Sequence, residues 1–360
     1  MQLLPSLLVA AIVVCLCGCG APGAPQPPSL NIPKPALDLQ GVRKGSHVTF
    51  TWTAPTETTD GELLRKAGKM FLGRATKTTG PFQTVAEVDL APSLKAVQRP
   101  RAFASDDIAA IVSDPAAPEF LFYHVTAVSD RGRTSPPSNQ VAVPTVATLA
   151  PPPNLALGLE PRGVTIRFQN PPPPQSATRL QPQYLFRVMR RQSDSKTATE
   201  PALVAVVDPG QQNPSVVDAH FEWEKKYEYW VTPVTLWSNG AQKGAVEGDD
   251  SPVVSILAHD SFPPATPSGL QAVFSGVIER PGMDLTWTPN SDEDLAGYNV
   301  YRRTADGPPH RINTELVKTP AFHDGSVALG SRYWYSVSAV DLRGNESGKS
   351  AEALENVPKQ

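Results

Sequence analysis

A strand-like pattern recurs three times along this chain at an interval of 106 residues, marked by Val125, Val231 and Val337. Around each valine, apolar residues occupy every second position, which is the period of a β-strand with one buried face. A pattern that repeats at a fixed spacing predicts a repeated structural unit rather than one large domain. The length of 360 residues is compatible with two or three domains of ordinary size.

Each unit also carries an earlier strand with an aromatic residue at a matching place: Trp52, Phe168 and Trp287. Short strands between turn residues, without a long helical period, predict β-sandwiches. We therefore expect an all-β chain of three tandem sandwiches, at residues 35–146, 150–258 and 262–356. The first unit is longer than the third between these two strands, so we expect an insertion near residues 75–110.

The third unit carries the most specific motifs: residues 297–303 read GYNVYRR, residues 329–335 read LGSRYWY, and residues 339–347 read AVDLRGNES. These motifs resemble the fibronectin type III family, and the first two units resemble it moderately. The resemblance implies an immunoglobulin-like sandwich with a tyrosine corner at Tyr333 and Tyr227, where the first unit has Leu121. It also implies binding and spacing units without catalysis.

The amino-terminal segment has no charged side chain before Lys34, and residues 3–16 are mostly apolar. Fourteen residues are too few for a membrane-spanning helix, which needs about 20, but they suit a signal peptide. Residues 16–19 read LCGC and resemble the bacterial lipobox, which implies a lipoprotein signal peptide at 1–18 and a palmitate-type lipid on Cys19. An ordinary secretory signal is the alternative. By the same resemblance, Gly20 implies the outer membrane if the cell is Gram-negative.

Residues 19–34 are rich in proline and small side chains, which predicts a tether rather than a packed element. All three cysteines precede residue 20, so the rest of the chain can form neither a disulfide nor a thiolate metal site. With 35 acidic and 32 basic side chains, the net charge of −3 gives no electrostatic footprint for nucleic acid.

Catalytic motifs are not evident in the sequence. The six histidines show no pair at metal-ligand spacing, and neither a phosphate loop nor a nucleophile elbow occurs. We expect no enzyme activity, no cofactor and no metal, with a site assembled across domains as the open alternative. The acidic loop with Asp292 and Asp294 is either a weak calcium candidate or a solvated turn.

Strand alternation directs Trp334 and Tyr301 outward in the third unit and Trp230 outward in the second. Contiguous exposed aromatic residues mark contact surfaces, so these three are the candidate partner contacts. The alternative is that arginine stems such as that of Arg303, or a neighbouring domain, cover them. Trp223 either closes the end of a core or stacks on a sugar ring.

The sequence thus predicts a non-catalytic lipoprotein of the cell envelope, anchored to the membrane through its lipid, that binds protein, spaces or scaffolds. Two alternatives remain open: a carbohydrate-binding accessory lipoprotein, and a subunit of an envelope or secretion assembly. The partner is accordingly a protein or a polysaccharide that the sequence does not identify.

Overall fold

The computed structural model describes residues 30–92, 100–174, 180–194, 199–210, 213–240 and 242–359. It is nearly all β, with 50% strand and 1% helix. The predicted signal peptide, Cys19 and the tether up to residue 29 lie outside the described residues. In the described part, we find no helix with the length and apolar character that a bilayer crossing requires. The chain divides into two compact units: among the described residues, the first holds those up to Ala147 together with Leu180, and the second holds the others from Thr148 onward.

The first sandwich fills the first unit and pairs the sheets β1-β2-β5 and β4-β3-β6-β7 around one apolar core. Trp52 lies fully buried in that core, as its place in the sequence pattern predicts. The elements are β1 (Gln40–Lys44), β2 (His47–Thr53), β3 (Gly68–Ala75), β4 (Gln83–Leu90), β5 (Arg101–Asp107), α1 (Ala109–Val112), β6 (Phe120–Val128) and β7 (Val141–Pro144).

The extra length of the first sandwich is spread over several connections and is not confined to residues 75–110. The connection 54–67 between β2 and β3 is long and carries its own backbone hydrogen bonds, including one from the Leu64 N–H to the Thr56 carbonyl at 2.9 Å. The connection 108–119, which holds α1, is a second extension. The spacing along the sequence between the two matched strands gives only the total number of extra residues. Residues added in any of the connections between these strands lengthen it equally.

The end of the predicted tether is attached to the first sandwich. The Lys34 N–H donates to the Glu57 carbonyl at 2.9 Å, and the Thr59 N–H donates to the Ile32 carbonyl at 2.8 Å. Backbone pairing of the chain with this sandwich therefore begins at Ile32, before the expected domain start at residue 35.

The second unit contains two further sandwiches, each with its own core. The second sandwich pairs β8-β9-β12 with β11-β10-β13, and the 13-residue β13 pairs with β15 near its start and with β14 near its end. Its strands are β8 (Ala156–Glu160), β9 (Gly163–Arg167), β10 (Gln183–Gln192), β11 (Ala202–Val207), β12 (Ser215–Asp218), β13 (Lys226–Ser238), β14 (Lys243–Glu247) and β15 (Val254–Leu257).

The third sandwich pairs β16-β17-β20 with β19-β18-β21-β22. Trp287 and Tyr298 meet edge to face in its core, with ring centroids 5.1 Å apart, an arrangement that aromatic rings favour. The strands are β16 (Ser268–Val277), β17 (Arg280–Thr288), β18 (Leu295–Arg303), β19 (His310–Arg311), β20 (Ala321–Asp324), β21 (Arg332–Asp341) and β22 (Ala353–Asn356).

The tyrosine corner is present where the motifs place it. The hydroxyl of Tyr333 accepts a hydrogen bond from the Ala328 N–H at 3.1 Å, and that of Tyr227 accepts one from the Glu222 N–H at 3.0 Å. In the first sandwich Leu121 is buried at this place and contributes packing alone.

A buried Arg–Asp–Tyr network recurs in all three sandwiches. In each copy an arginine nitrogen lies 2.6–2.8 Å from the aspartate, and the tyrosine hydroxyl donates to the same aspartate at 2.8–2.9 Å. The aspartate belongs to one sheet and its two partners to the other, so the network joins the layers. The sets are Arg74–Asp106–Tyr123, Arg190–Asp218–Tyr229 and Arg302–Asp324–Tyr335.

Candidate functional site

The outward face of the third sandwich carries Trp334 and Tyr301, as strand alternation predicts, but basic side chains cover both rings. The guanidinium of Arg303 lies 4.7 Å from the Trp334 ring centroid, and it forms hydrogen bonds of 2.7 and 2.5 Å to Glu352. The ammonium of Lys349 lies 4.3 Å from the Tyr301 centroid. Trp334 thus has the arginine cover that the sequence left open, whereas a lysine covers Tyr301. A partner contact through these aromatic residues stays a prediction.

Trp230 has a similar arrangement on the second sandwich. The guanidinium of Arg191 lies 5.8 Å from its ring centroid, and the same guanidinium is paired with Glu228 at 2.6 Å. Both outward tryptophans thus lie beneath an arginine that a carboxylate orients, which is a cation–π arrangement with stabilising geometry. The ring of Trp230 remains half-buried and available only in part.

The junction between the second and third sandwiches is organised around Arg343, which follows β21 directly. One terminal nitrogen of its guanidinium lies 3.4 Å from Asp260 and 3.9 Å from Asp294, and its Nε lies 3.8 Å from Glu224. The same guanidinium lies 6.0 Å from the ring centroid of Trp223. Because Trp223 and Glu224 belong to the second sandwich and Arg343 to the third, these contacts brace the junction.

Hydrogen bonds hold the parts of this junction in place. Asn345 donates from its amide to the Asp260 carbonyl at 3.1 Å. The carboxylate of Asp341 accepts from the backbone N–H groups of Arg343 and Asn345 at 2.8 and 2.9 Å, which fixes the turn that carries the arginine. Hydrogen bonds from His259 and from the Asp260 N–H hold the pKa of Glu224 below its usual range.

Trp223 closes the end of the second core and also takes part in the junction. Its ring meets Phe221 edge to face at 4.7 Å and lies 6.1 Å from the ring of Phe262 in the connection between the sandwiches. It is half-buried against the second core. The structure therefore agrees with the core-packing reading and adds a contact that the sequence did not predict.

The two predicted calcium candidates, Asp292 and Asp294, have different surroundings. Asp294 lies in a group with Asp260 and Asp341 whose ligand atoms are all within 4.8 Å, the one such group in the described ranges. Asp292 instead accepts hydrogen bonds from the Ala265 N–H at 3.3 Å and the Asn290 amide at 3.1 Å. Calcium binding here stays a prediction, and calorimetry that shows neither heat nor a melting shift on calcium addition would remove it.

A groove of about 550 Å³ lies at the same junction. Its apolar wall includes Trp223, Phe262 and Leu342, and its polar wall includes Asp294 and Arg343. A cleft of this size, with apolar walls and a few polar groups, has the general form of a small-ligand site. The sequence pattern did not indicate the groove, because its walls come from two sandwiches and the connection between them.

These sandwiches, each made of a three-stranded sheet facing a larger one, define the chain as one built of fibronectin type III-like domains. No family model matches it. An Fn3-like protein from Clostridium thermocellum is 37% identical over 27% of this chain and 96% of its own, with a TM-score of 0.23. The chicken CNTN1 FN1-FN3 domains are 14% identical over 91% of this chain and 100% of theirs, with a TM-score of 0.25.

Segments of larger enzymes are also similar to part of the chain. An amylopullulanase of Thermoanaerobacterium thermosulfurigenes is 33% identical over 28% of this chain, and the match spans 5% of the enzyme. An alpha-amylase of Niallia circulans is 30% identical over 33% of this chain, and exoglucanase B of Cellulomonas fimi is 33% identical over 26%. The match covers 8% of each of these two enzymes, so it concerns a small part of their length.

Proposed function

We propose that this protein is a non-catalytic spacing and binding module, held at the cell envelope by a lipid on Cys19. The observation that carries this proposal is the brace at Arg343, which contacts two residues of the second sandwich and the Asp260 carboxylate between the sandwiches. A braced junction presents the outward faces of two domains in a constant relation, as a spacer or scaffold requires. Similarity to short segments of larger enzymes also fits an accessory role.

The stiffness of this junction depends on the charge of Arg343. Asp260 has a nearly fully buried side chain, and its carboxylate faces the guanidinium at 3.4 Å. Removal of one partner from a buried ion pair leaves an uncompensated charge, which is strongly destabilising. The second and third sandwiches should therefore move more freely relative to each other when a neutral residue replaces Arg343.

Spin-label distance measurements test this brace, because the sequence has no cysteine after Cys19. Labels at Ser215→Cys and Thr286→Cys report on the second and third sandwiches, respectively. We expect a narrow distance distribution that broadens with Arg343→Gln and stays narrow with Arg311→Gln, an exposed arginine on β19. A broad distribution in the chain that retains Arg343 would contradict a spacer of fixed geometry, and an equally narrow distribution with Arg343→Gln would show that Arg343 is not the brace.

The membrane part of the proposal is tested separately at Cys19. The unsubstituted chain should incorporate labelled palmitate and sediment with membranes, whereas Cys19→Ser should lose both properties. Fractionation of inner and outer membranes then tests the expected location in a Gram-negative host. Palmitate incorporation that persists in Cys19→Ser would refute lipidation at this residue.

Carbohydrate binding is the second candidate function. The junction groove supports it through the aromatic wall of Trp223 and Phe262, and the similar enzymes carry names that refer to amylose, pullulan and glucan. Affinity electrophoresis in gels with amylose, pullulan or a glucan distinguishes the two functions. Retardation that Trp223→Ala abolishes would favour carbohydrate binding, and unchanged mobility in all three gels would exclude these glycans.

A further inference from the structure

The strand β11 ends its sheet and pairs only with β10 among the strands of the described residues. Its six residues read ALVAVV, so it carries neither a charge nor a proline. Leu203 and Val206 are large apolar side chains that are 55% and 56% exposed. An edge strand of this kind offers free backbone N–H and C=O groups together with apolar side chains, which makes it a template for a further strand.

The same edge is protected in the other two sandwiches. In the first, β4 carries the charged residues Glu87 and Asp89. In the third, β19 is only two residues long and consists of His310 and Arg311. Charges and short length are the usual means by which a sheet edge avoids pairing with another chain. A β-bulge, another such means, occurs in both the β3–β4 pair and the β10–β11 pair. The second sandwich is therefore the copy whose edge strand has neither charges nor a short length.

An apolar row leads to this edge across the outward face of the sheet. Leu203 is directly opposite Met189 on β10, and Met189 is directly opposite Trp230 on β13. Directly opposed residues share one face of a sheet, so the three side chains lie side by side. The row continues the exposed apolar surface of β11 into the sheet, and an added strand would lengthen it.

The positions of the exposed residues favour a second copy of the chain as the occupant. The register shift between Val188 and Met189 on β10 is a β-bulge that leaves Val204 of β11 without an opposite residue, so Leu203 and Val206 lie on the same face of the sheet although three positions separate them. Two such strands from identical chains can pair antiparallel about a two-fold axis perpendicular to the sheet. With the axis between Val204 and Ala205, Leu203 faces the partner's Val206, and Val206 faces the partner's Leu203. The two-fold rotation thus buries both exposed side chains against the partner strand. The strand carries no charge, so no like charges repel each other.

We propose that β11 pairs antiparallel with β11 of a second copy about this axis, which joins the two sheets into one continuous sheet. The proposal is independent of lipidation and of carbohydrate binding, because it uses only the edge strand of the second sandwich. It assigns the face of Leu203 and Val206 to self-association.

Cysteine crosslinking of the full-length chain tests the register. Directly opposite residues in an antiparallel pair have Cα atoms about 4.5–5.5 Å apart, within the range of a disulfide. Leu203→Cys/Val206→Cys should therefore give a crosslinked dimer under mild oxidation. Neither single variant should crosslink, because each introduced cysteine is three positions away from the same cysteine on the partner strand. The unsubstituted chain measures any background from Cys15, Cys17 and Cys19.

Crosslinking that is equal in the single and double variants, or absent from the double variant, would overturn the proposed register. Within one strand, residues three positions apart are about 10 Å apart, so the double variant has no intrachain disulfide to mask the result.

Sedimentation velocity in mild detergent tests the association itself. Leu203→Lys/Val206→Lys places like charges opposite each other twice, and we expect its dimer to dissociate at least about tenfold more readily. Leu203→Lys/Val206→Glu differs at one residue and places opposite charges across the axis, so it should restore the dimer. Both variants change exposed positions, and circular dichroism confirms that they fold.

A monomeric unsubstituted chain at all concentrations would overturn the proposal, and so would a dimer that the lysine pair leaves unchanged. Equal behaviour of the two charged variants would show that the register about Val204 and Ala205 is wrong.

Discussion

Replacement of Arg302 by methionine removes the counter-charge of a buried carboxylate in the third sandwich. The side chain of Asp324 is 4% exposed, and the arginine nitrogen lies 2.7 Å from its carboxylate oxygen. The same carboxylate accepts hydrogen bonds from the Tyr335 hydroxyl at 2.9 Å and from the Ser326 N–H at 2.9 Å. Methionine retains most of the apolar stem of the arginine, so the change mainly tests the charge.

The expected loss follows from the burial of this pair. Removal of one partner from a buried ion pair costs about 3–5 kcal/mol of unfolding free energy. Tyr335 and Ser326 still solvate the carboxylate, so we expect the lower end, about 3 kcal/mol. With a urea dependence of about 1–3 kcal/mol per molar, the unfolding midpoint should fall by about 1–3 M.

The neighbouring Arg303 provides a matched control. It also pairs with a carboxylate, but that of Glu352 is 38% exposed. Exposed pairs are worth at most about 1 kcal/mol, so Arg303→Met should shift the midpoint by much less. Urea-dependent hydrogen exchange of the β21 amides measures the third sandwich alone, which avoids assuming that three domains unfold together.

The pH dependence separates loss of charge from loss of packing. Burial raises the pKa of Asp324, but hydrogen bonds from Ser326 and Tyr335 and the charge of Arg302 outweigh it and hold the pKa below 3.8. Such a group stabilises the fold above its unfolded pKa, and the stabilisation is lost as the pH falls through its folded pKa. The penalty of Arg302→Met should thus be large at pH 7 and smaller near pH 4, where the variant's carboxyl group becomes protonated.

Two results would refute this reasoning. A loss no greater than that of Arg303→Met would show that the buried charge does not need its partner. An equal loss at both pH values would instead assign the effect to packing of the arginine over Tyr333, whose ring centroid lies 4.9 Å from the guanidinium.

Three further predictions concern tyrosines and the outward face. Tyr333→Phe removes the hydrogen bond from the Ala328 N–H and should cost about 1–3 kcal/mol, measured by urea-dependent hydrogen exchange of the third sandwich. Burial raises the pKa of Tyr335 above its ordinary 10.0, so its stabilisation is present below pH 10.0 and lost above it, and Tyr335→Phe should lessen the alkaline fall seen by circular dichroism. Trp334→Ser/Tyr301→Ser should keep the fold and abolish capture of an identified partner, and persistent capture would contradict the contact hypothesis.

Local patterns along the chain predicted the β-sandwich class, the buried aromatic residues and the outward direction of Trp334 and Tyr301. The sequence could predict these properties because the alternation of apolar residues and the turn residues are patterns of a few neighbouring positions. The tyrosine corner at Tyr333 and Tyr227 followed from a motif of similar length. The places of the extra residues in the first sandwich could not be predicted, because the spacing between two strands gives only their total number.

The sequence by itself determined the strand period, the repeated unit and the side of each strand that faces a core. Only the tertiary structure decided which remote side chains meet, because strand register and domain packing bring them together. It united Arg302 with Asp324 and Tyr335, placed Arg343 between two sandwiches, and left the uncharged strand β11 at the edge of its sheet. Each arrangement joins residues from separate strands or loops. A pattern that extends over only a few positions does not indicate which distant residues will meet.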